Sequence, residues 1–289
     1  MHRRNFVTAS LACAALTALP RRVHAAQATP AATLPALAFT LTDTGFYIPE
    51  PLHAGRYGFK LINAGESAES HTAIGKIPDR VTDAEYDEWI ESLERSDGQD
   101  GQTDAMTWDD IEFVGIPDWP KPGNFSSGVI DLQPGRYFLF DPFSGRGYRR
   151  LMVDGAFGTP AEPESDLTVT LEDMAIDFPD EAITTNPVRW KIVNAGAFSH
   201  EVAVIPISPE FTEEHLQMLF AMPEDATPPP GVPELVYQPV AAIGILAKSH
   251  MCWLDVQLVP GHYLAACFLP FGTGYPHAMD GMYRFIEIT

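Results

Sequence analysis
The sequence predicts an all-β protein of two tandem Greek-key β-sandwiches, each with a short helical insert. Three observations carry that expectation: an internal repeat, short strand-like segments, and one capped amphipathic stretch per copy. LAFTLTDTGFYIPEPLHAGRYGFKLINAG (Leu37–Gly65) parallels LTVTLEDMAIDFPDEAITTNPVRWKIVNAG (Leu167–Gly196) within one residue of length. Each copy then reaches Ser-His, at Ser70-His71 and Ser199-His200. Further on, LQPGRYFLF (Leu132–Phe140) parallels LVPGHYLAA (Leu258–Ala266). Matched blocks in the same order mark a duplicated unit.

Within each copy, segments such as Phe59–Ile62 and Trp190–Val193 are apolar and partly β-branched, and Gly, Pro or Asn-Ala-Gly turns bound them. Several such strands in about 120 residues fit a sandwich. Thr82-Asp83-Ala84-Glu85 has the form of a capping box ahead of Tyr86, Trp89, Ile90 and Leu93 at helical spacing. Thr212 begins the counterpart, with Leu216, Leu219 and Phe220 on one face. Such apolar stripes serve packing. The acidic, Gly-rich stretch 96–110 reads as a solvated loop. The expected organisation is residues 33–155, a linker rich in Pro, Gly and acids at 156–166 (AFGTPAEPESD), and residues 167–289.

Residues 1–25 read as a signal peptide. A basic start (Arg3, Arg4) precedes an apolar run from Phe6 to Leu19 and a small-residue exit at Val23-His24-Ala25. The paired arginines followed by Asn5, Phe6 and Val7 resemble a twin-arginine signal. A periplasmic or secreted location follows as an expectation. The chain of 289 residues carries 18 Lys+Arg against 39 Asp+Glu, a net charge of −21. Without residues 1–25, which hold four arginines and no acid, the balance becomes −25. Nucleic acid is excluded as a partner by that repulsion. With three cysteines in all, a disulfide scaffold is excluded too. No stretch beyond the signal is long and apolar enough to be a membrane span.

The C-terminal segment PGHYLAACFLPFGTGYPHAMDGMYRFIEI places Cys267, His277 and Met282 in one strand–loop–strand unit, and His200 joins them from the earlier Ser-His. Two imidazoles, a thiolate and a thioether are the donor set of a mononuclear copper electron-transfer site. Here the sequence resembles the cupredoxins, the blue-copper family, across both repeats. Its most specific parts are Pro260-Gly261-x-Tyr263 before Cys267, then His277-x-x-x-Gly281-Met282 leading into an apolar final strand. The resemblance implies one type 1 copper, with His200, Cys267, His277 and Met282 as metal ligands. Met279 is the rival thioether, and Gly281 beside Met282 favours the latter. Nine residues separate Cys267 from His277, more than in small blue-copper proteins. Cys252 is expected to be a buried free thiol, because the segments flanking Pro260-Gly261 in that fold belong to opposite sheets.

The first copy keeps His71 but has Asp141 where Cys267 stands, and no histidine follows it. A metal-free first domain is therefore expected, with His71 a remnant or a hydrogen-bonding residue. Two-domain nitrite reductases and laccases belong to the same family, yet this chain has no His-x-His or His-Cys-His string. The preferred expectation is an exported electron carrier rather than an enzyme. It would exchange electrons through an exposed side of His277 with a redox partner protein, such as a basic cytochrome or a copper oxidoreductase. A copper-dependent oxidoreductase and a copper-handling or interaction module without redox turnover stand as alternatives. Oligomerisation stays open.

Overall fold
The computed structural model describes residues 34–66, 71–95, 103–141, 147–179, 183–223, 228–270 and 273–289. The signal expected at residues 1–25 lies outside them. In the first repeat, β1 (Ala36–Thr42), β2 (Gly45–Tyr47), β4 (Gly55–Asn63) and β7 (Phe125–Leu132) form one layer. It faces β3 (Leu52–His53), β5 (Ala73–Lys76), β6 (Glu112–Phe113), β8 (Gly135–Phe140) and β9 (Tyr148–Asp154). The second repeat matches this with β10 (Leu167–Glu172), β11 (Ala175–Asp177), β12 (Val188–Asn194) and β15 (Met251–Val256). Opposite lie β13 (His200–Ile207), β14 (Ala241–Leu246), β16 (Gly261–Ala266) and β17 (Tyr283–Ile288). The parallel pairs β1–β4 and β10–β12 sit in otherwise antiparallel layers, so the all-β sandwich expectation holds.

Alternation along each strand builds the cores. Leu37, Phe39 and Leu41 of β1 turn inward onto Phe59, Leu61, Ile130, Ile74 and Leu139. Val169, Leu171, Trp190, Ile192, Val202, Val204 and Ile286 do the same in the second copy. Period-two burial of this kind is what a layer with one packed face requires. Cys252 lies in β15, buried and unpaired, on the opposite layer from Cys267.

The helical inserts form as their caps dictate. At α1 (Asp83–Arg95), the Thr82 N–H donates to Glu85 Oε2 (2.7 Å) and the Glu85 N–H returns to Thr82 Oγ1 (3.3 Å). Its stripe of Tyr86, Trp89, Ile90 and Leu93 is buried, with Trp89 edge-on to Phe138 at 5.1 Å. Burial of each such side chain contributes about 1.5–3 kcal/mol. Thr212 caps α2 (Glu213–Ala221), and Leu216 is its buried anchor. The stretch expected as a solvated loop is different. Met106 is buried, and Trp108 packs against Trp89 (5.1 Å) and Phe140 (5.3 Å). Two apolar side chains among acids were enough to draw residues 106–110 onto the core; residues 96–102 of that loop lie outside the described set.

The two copies do more than follow one another. β7 pairs antiparallel with β15 (Val129 with Trp253, Gly128 with Leu254), which makes one eight-stranded sheet, β11-β10-β12-β15-β7-β4-β1-β2. Gly128 is required there, because a Cβ would overlap the Trp253 carbonyl oxygen. Arg56 fixes the same seam. It makes a two-point pair with Asp131 (2.6 Å each) and stacks over the Trp253 ring at 4.6 Å. It also donates to the carbonyl of Ala161 in the connecting segment. A second seam runs from Phe113 to Asp118 along β14, through Gly115 N–H to Ile245 O (2.8 Å), Asp118 N–H to Ala242 O (2.9 Å) and Gly244 N–H to Ile116 O (2.8 Å). Residues 34–289 form one compact unit.

Candidate metal centre
His200 opens β13, Cys267 directly follows β16, His277 begins a 3-10 turn (His277–Asp280), and Met282 precedes β17. Because β16 lies between β13 and β17, these positions gather at one end of the sheet. The nine-residue loop closes on itself through its backbone. His277 N–H donates to Leu269 O (3.0 Å), Ala278 N–H to Cys267 O (2.8 Å), Met282 N–H to His277 O (3.1 Å) and Cys267 N–H to Met282 O (3.1 Å). His200 Nδ1 comes within 3.0 Å of His277 Nδ1, and Cys267 Sγ within 3.5 Å of the same atom. The three donor atoms lie within 4.8 Å of one another, and all three residues are buried. Met282 is buried in the core that holds Cys267, while the rival Met279 is 40% exposed. His277 has no exposed side. The side chain expected to meet a partner is fully covered, with Phe198 packed 6.1 Å from it, ring to ring.

The Asn-Ala-Gly motif positions His200. Asn194 donates to Phe198 O and Leu246 O (2.9 Å each) and accepts from the Gly196 N–H (2.9 Å). The turn thus folded presents the Ala197 N–H to Asp173 Oδ1 (2.9 Å), and the same oxygen sits 3.2 Å from His200 Nε2. A Cβ on residue 196 would overlap Asp173 Oδ1 and stand 2.7 Å from His200 Nε2, so glycine is needed for the carboxylate to reach the ring. Burial tends to raise the Asp173 pKa, but the Phe198 and Ala197 amides and His200 outweigh it and hold the carboxyl below its usual range. Burial holds His200 below its ordinary value against the pull of Asp173, and His277 adds to the lowering. A neutral His200 bonded to Asp173 through Nε2 keeps the Nδ1 lone pair for a metal. Asp173 was not foreseen; the paired motif in the first copy (Asp43 and Asn63) was its trace in the sequence.

Burial pushes the Cys267 thiol up, and Glu201 adds to the rise, while the amides of Glu201 and Leu269 oppose it. A thiolate here therefore needs a cation beside it. The fit is direct. Separations of 3.0 and 3.5 Å, with all three donor atoms within 4.8 Å of one another, are short enough for the three to share one ion. Two imidazole nitrogens and a sulfur converging on one dry point are the donor set suited to copper.

His71 does not occupy the counterpart of His200. Ala73 pairs with Phe140, whereas Ala203 pairs with Ala266, and Phe140 and Ala266 are the equivalent residues before Asp141 and Cys267. His71 thus stands one residue nearer its rung than His200, and a one-residue slip reverses the face of a strand side chain. His200 turns with Val202 and Val204 into its own sandwich; His71 turns toward the second repeat. The position matching His200 is 70, outside the described residues. His71 Nδ1 is 2.7 Å from Asp118 Oδ2 and its Nε2 is 3.5 Å from Glu201 Oε2, all three side chains being buried. Of the two roles expected for His71, hydrogen bonding is the one seen.

Burial opposes a charge on His71, but Asp118, with Glu201 and Asp141, outweighs it and lifts the pKa to about 9. Burial pushes Asp118 and Glu201 upward as well. A histidine raised from about 6.5 when unfolded stabilises the fold fully below that pH. The contribution drains away as pH rises through about 9. Thermal unfolding from pH 6 to 10 should therefore show the wild-type advantage over His71→Gln shrinking across that window. An advantage that grows with pH would contradict the assignment.

No protein-family model matches this chain, and no curated protein matches it. Among solved structures, it is similar to reduced auracyanin from Roseiflexus castenholzii at 17% identity, over 42% of this chain and 94% of that one, with a TM-score of 0.27. A copper nitrite reductase from Nitrosomonas europaea aligns at 15% identity over 87% of this chain and 93% of that one, TM-score 0.22. A multicopper oxidase aligns at 13% identity over 89% and 92%, TM-score 0.25. Likenesses this loose carry no inference of their own; the chemistry of the side chains does.

Proposed function
We propose that this protein is a cupredoxin-type electron carrier in which His200, Cys267, His277 and Met282 would hold one type 1 copper. The convergence of two Nδ1 atoms and one Sγ in a buried site is the observation that carries the reading. Bound there, copper supplies one-electron chemistry between its Cu(I) and Cu(II) states. The protein's part is to hold the donors still. The strands and loop fix the three donors, Asp173 fixes the His200 ring, and the apolar surroundings exclude water. Little rearrangement then accompanies a change of charge.

The first repeat has Asp141 at the position of Cys267 and turns His71 away from its own sandwich, so we assign it no copper. Because His277 is covered, electrons would leave and enter through the residues around it, of which Tyr275 and Met279 are exposed, rather than through a bare ring. The charge of −25 left once residues 1–25 are removed suits a basic redox partner such as a cytochrome, with encounter fastest at low salt. Export follows from the reading of residues 1–25; no helix among the described residues is long and apolar enough to cross a membrane.

Titration of the purified protein with Cu(II) should give intense visible absorption that saturates at one copper per chain. A colourless product, or turnover of nitrite or phenols with more than one copper per chain, would replace the carrier with another reading. Asp173→Ala should lower copper affinity about 10–100-fold, the usual effect of losing the partner of a metal-binding histidine. Competition against a chelator measures it, and unchanged affinity would remove Asp173 from the site.

A further inference from the structure
The first repeat touches the proposed metal centre through one buried chain of polar groups. Glu201, adjacent to His200, holds both sides of Cys267. Its N–H donates to Cys267 Sγ (3.4 Å), and its Oε1 accepts the N–H of Phe268 (3.0 Å). Its other oxygen, Oε2, faces His71 Nε2 at 3.5 Å. Asp118 fixes His71 from behind at 2.7 Å and is itself held by the Thr72 N–H at 3.0 Å. Trp119 stacks on the His71 ring (5.7 Å between centroids), and Tyr237 packs against both Trp119 (4.8 Å) and Phe268 (5.1 Å). The pattern is no second metal site, since Asp118 and Glu201 address opposite nitrogens of the imidazole.

We infer that His71, from the first repeat, is a positioning residue for the copper centre of the second, acting through Glu201 on the backbone around Cys267. The inference rests on the copper reading above for its consequence, though not for its mechanism. Glu201 is a buried carboxylate, and such a group holds one orientation only while its oxygens have partners. His71 and the Phe268 amide supply one each. Without the imidazole, Oε2 loses its partner, the side chain turns to find another, and the Phe268 and Glu201 amides lose their fixed relation to the sulfur. Hydrogen bonds to a ligating sulfur tune the electron density it shares with the metal, so spectrum and potential follow that relation. On this account the copper-free copy helps set the properties of the copper-binding one.

The test uses full-length mature protein carrying His71→Leu, with His71→Gln as the milder variant should leucine prevent folding. Ile74→Val, in the core of the first sandwich, is the control. In copper-free protein, exchange of the Phe268 amide should quicken at least tenfold in the His71 variants and stay unchanged in the control. With copper, the visible band and the reduction potential should shift in the His71 variants alone. A folded His71 variant with wild-type amide exchange, band and potential overturns the inference. If wild-type protein takes no copper, the copper reading fails by itself, and the exchange experiment still decides whether His71 orders the Cys267 segment.

Discussion
Cys267→Ser protein is expected to fold, to give no intense visible band with Cu(II), and to lose copper affinity at least 100-fold. The band requires a thiolate bound to the metal, and a serine hydroxyl is too weak an acid and too hard a donor to replace it. Folding should survive. The Glu201 N–H that meets Sγ at 3.4 Å can be accepted equally by a hydroxyl oxygen, so the smaller atom leaves no new orphan donor. Far-UV circular dichroism would check the fold and a visible titration the metal. A band that persists in Cys267→Ser would place copper elsewhere and end the present assignment.

Gly128→Val should produce the largest loss of stability of any single substitution at the junction between repeats. Gly128 is flanked on both sides, by Phe59 on β4 and Leu254 on β15, and its missing side chain is what lets the Trp253 carbonyl approach. A flexible side chain could yield to a new methyl group, but a main-chain carbonyl within a sheet cannot. Overpacking usually costs about 1–3 kcal/mol, and a backbone clash belongs at or above the upper end. A loss of about 3 kcal/mol lowers the midpoint of a domain this large by roughly 6–12 °C. Differential scanning calorimetry should also show two transitions where the wild type shows one, because the variant uncouples the copies. A single transition at the wild-type temperature would show that the β7–β15 pairing contributes little.

Much of this was legible in the sequence because it is local. The duplicated Asn-Ala-Gly and PGxY blocks fix strand ends, Thr82 and Glu85 fix a helix start, and the ligands lie in or next to elements whose period is plain. The nine residues between Cys267 and His277 exceed the loop of small blue-copper proteins. They are accommodated by backbone bonds that no side-chain pattern advertises. What sequence reasoning missed is relational. Aligning Ser70-His71 with Ser199-His200 matches letters but slips the ladder by one residue, and register depends on partner strands far along the chain. His277 is fully buried with Phe198 packed against it, a contact between segments far apart in the sequence. Likewise, Gly128 reads as an ordinary strand glycine until Trp253, from the other copy, is placed beside it.

The pairing of β7 with β15 also bears on how such a chain could fail. A sandwich cut free at the connecting segment 156–166 would end in an unsatisfied strand border, β7 in one fragment and β15 in the other, each a ready template for a foreign strand. Covalent connection makes the intended partner the nearest one at all times, at an effective concentration no stranger can match. The tether therefore need not be rigid or shapely. It acts as insurance against promiscuous zippering.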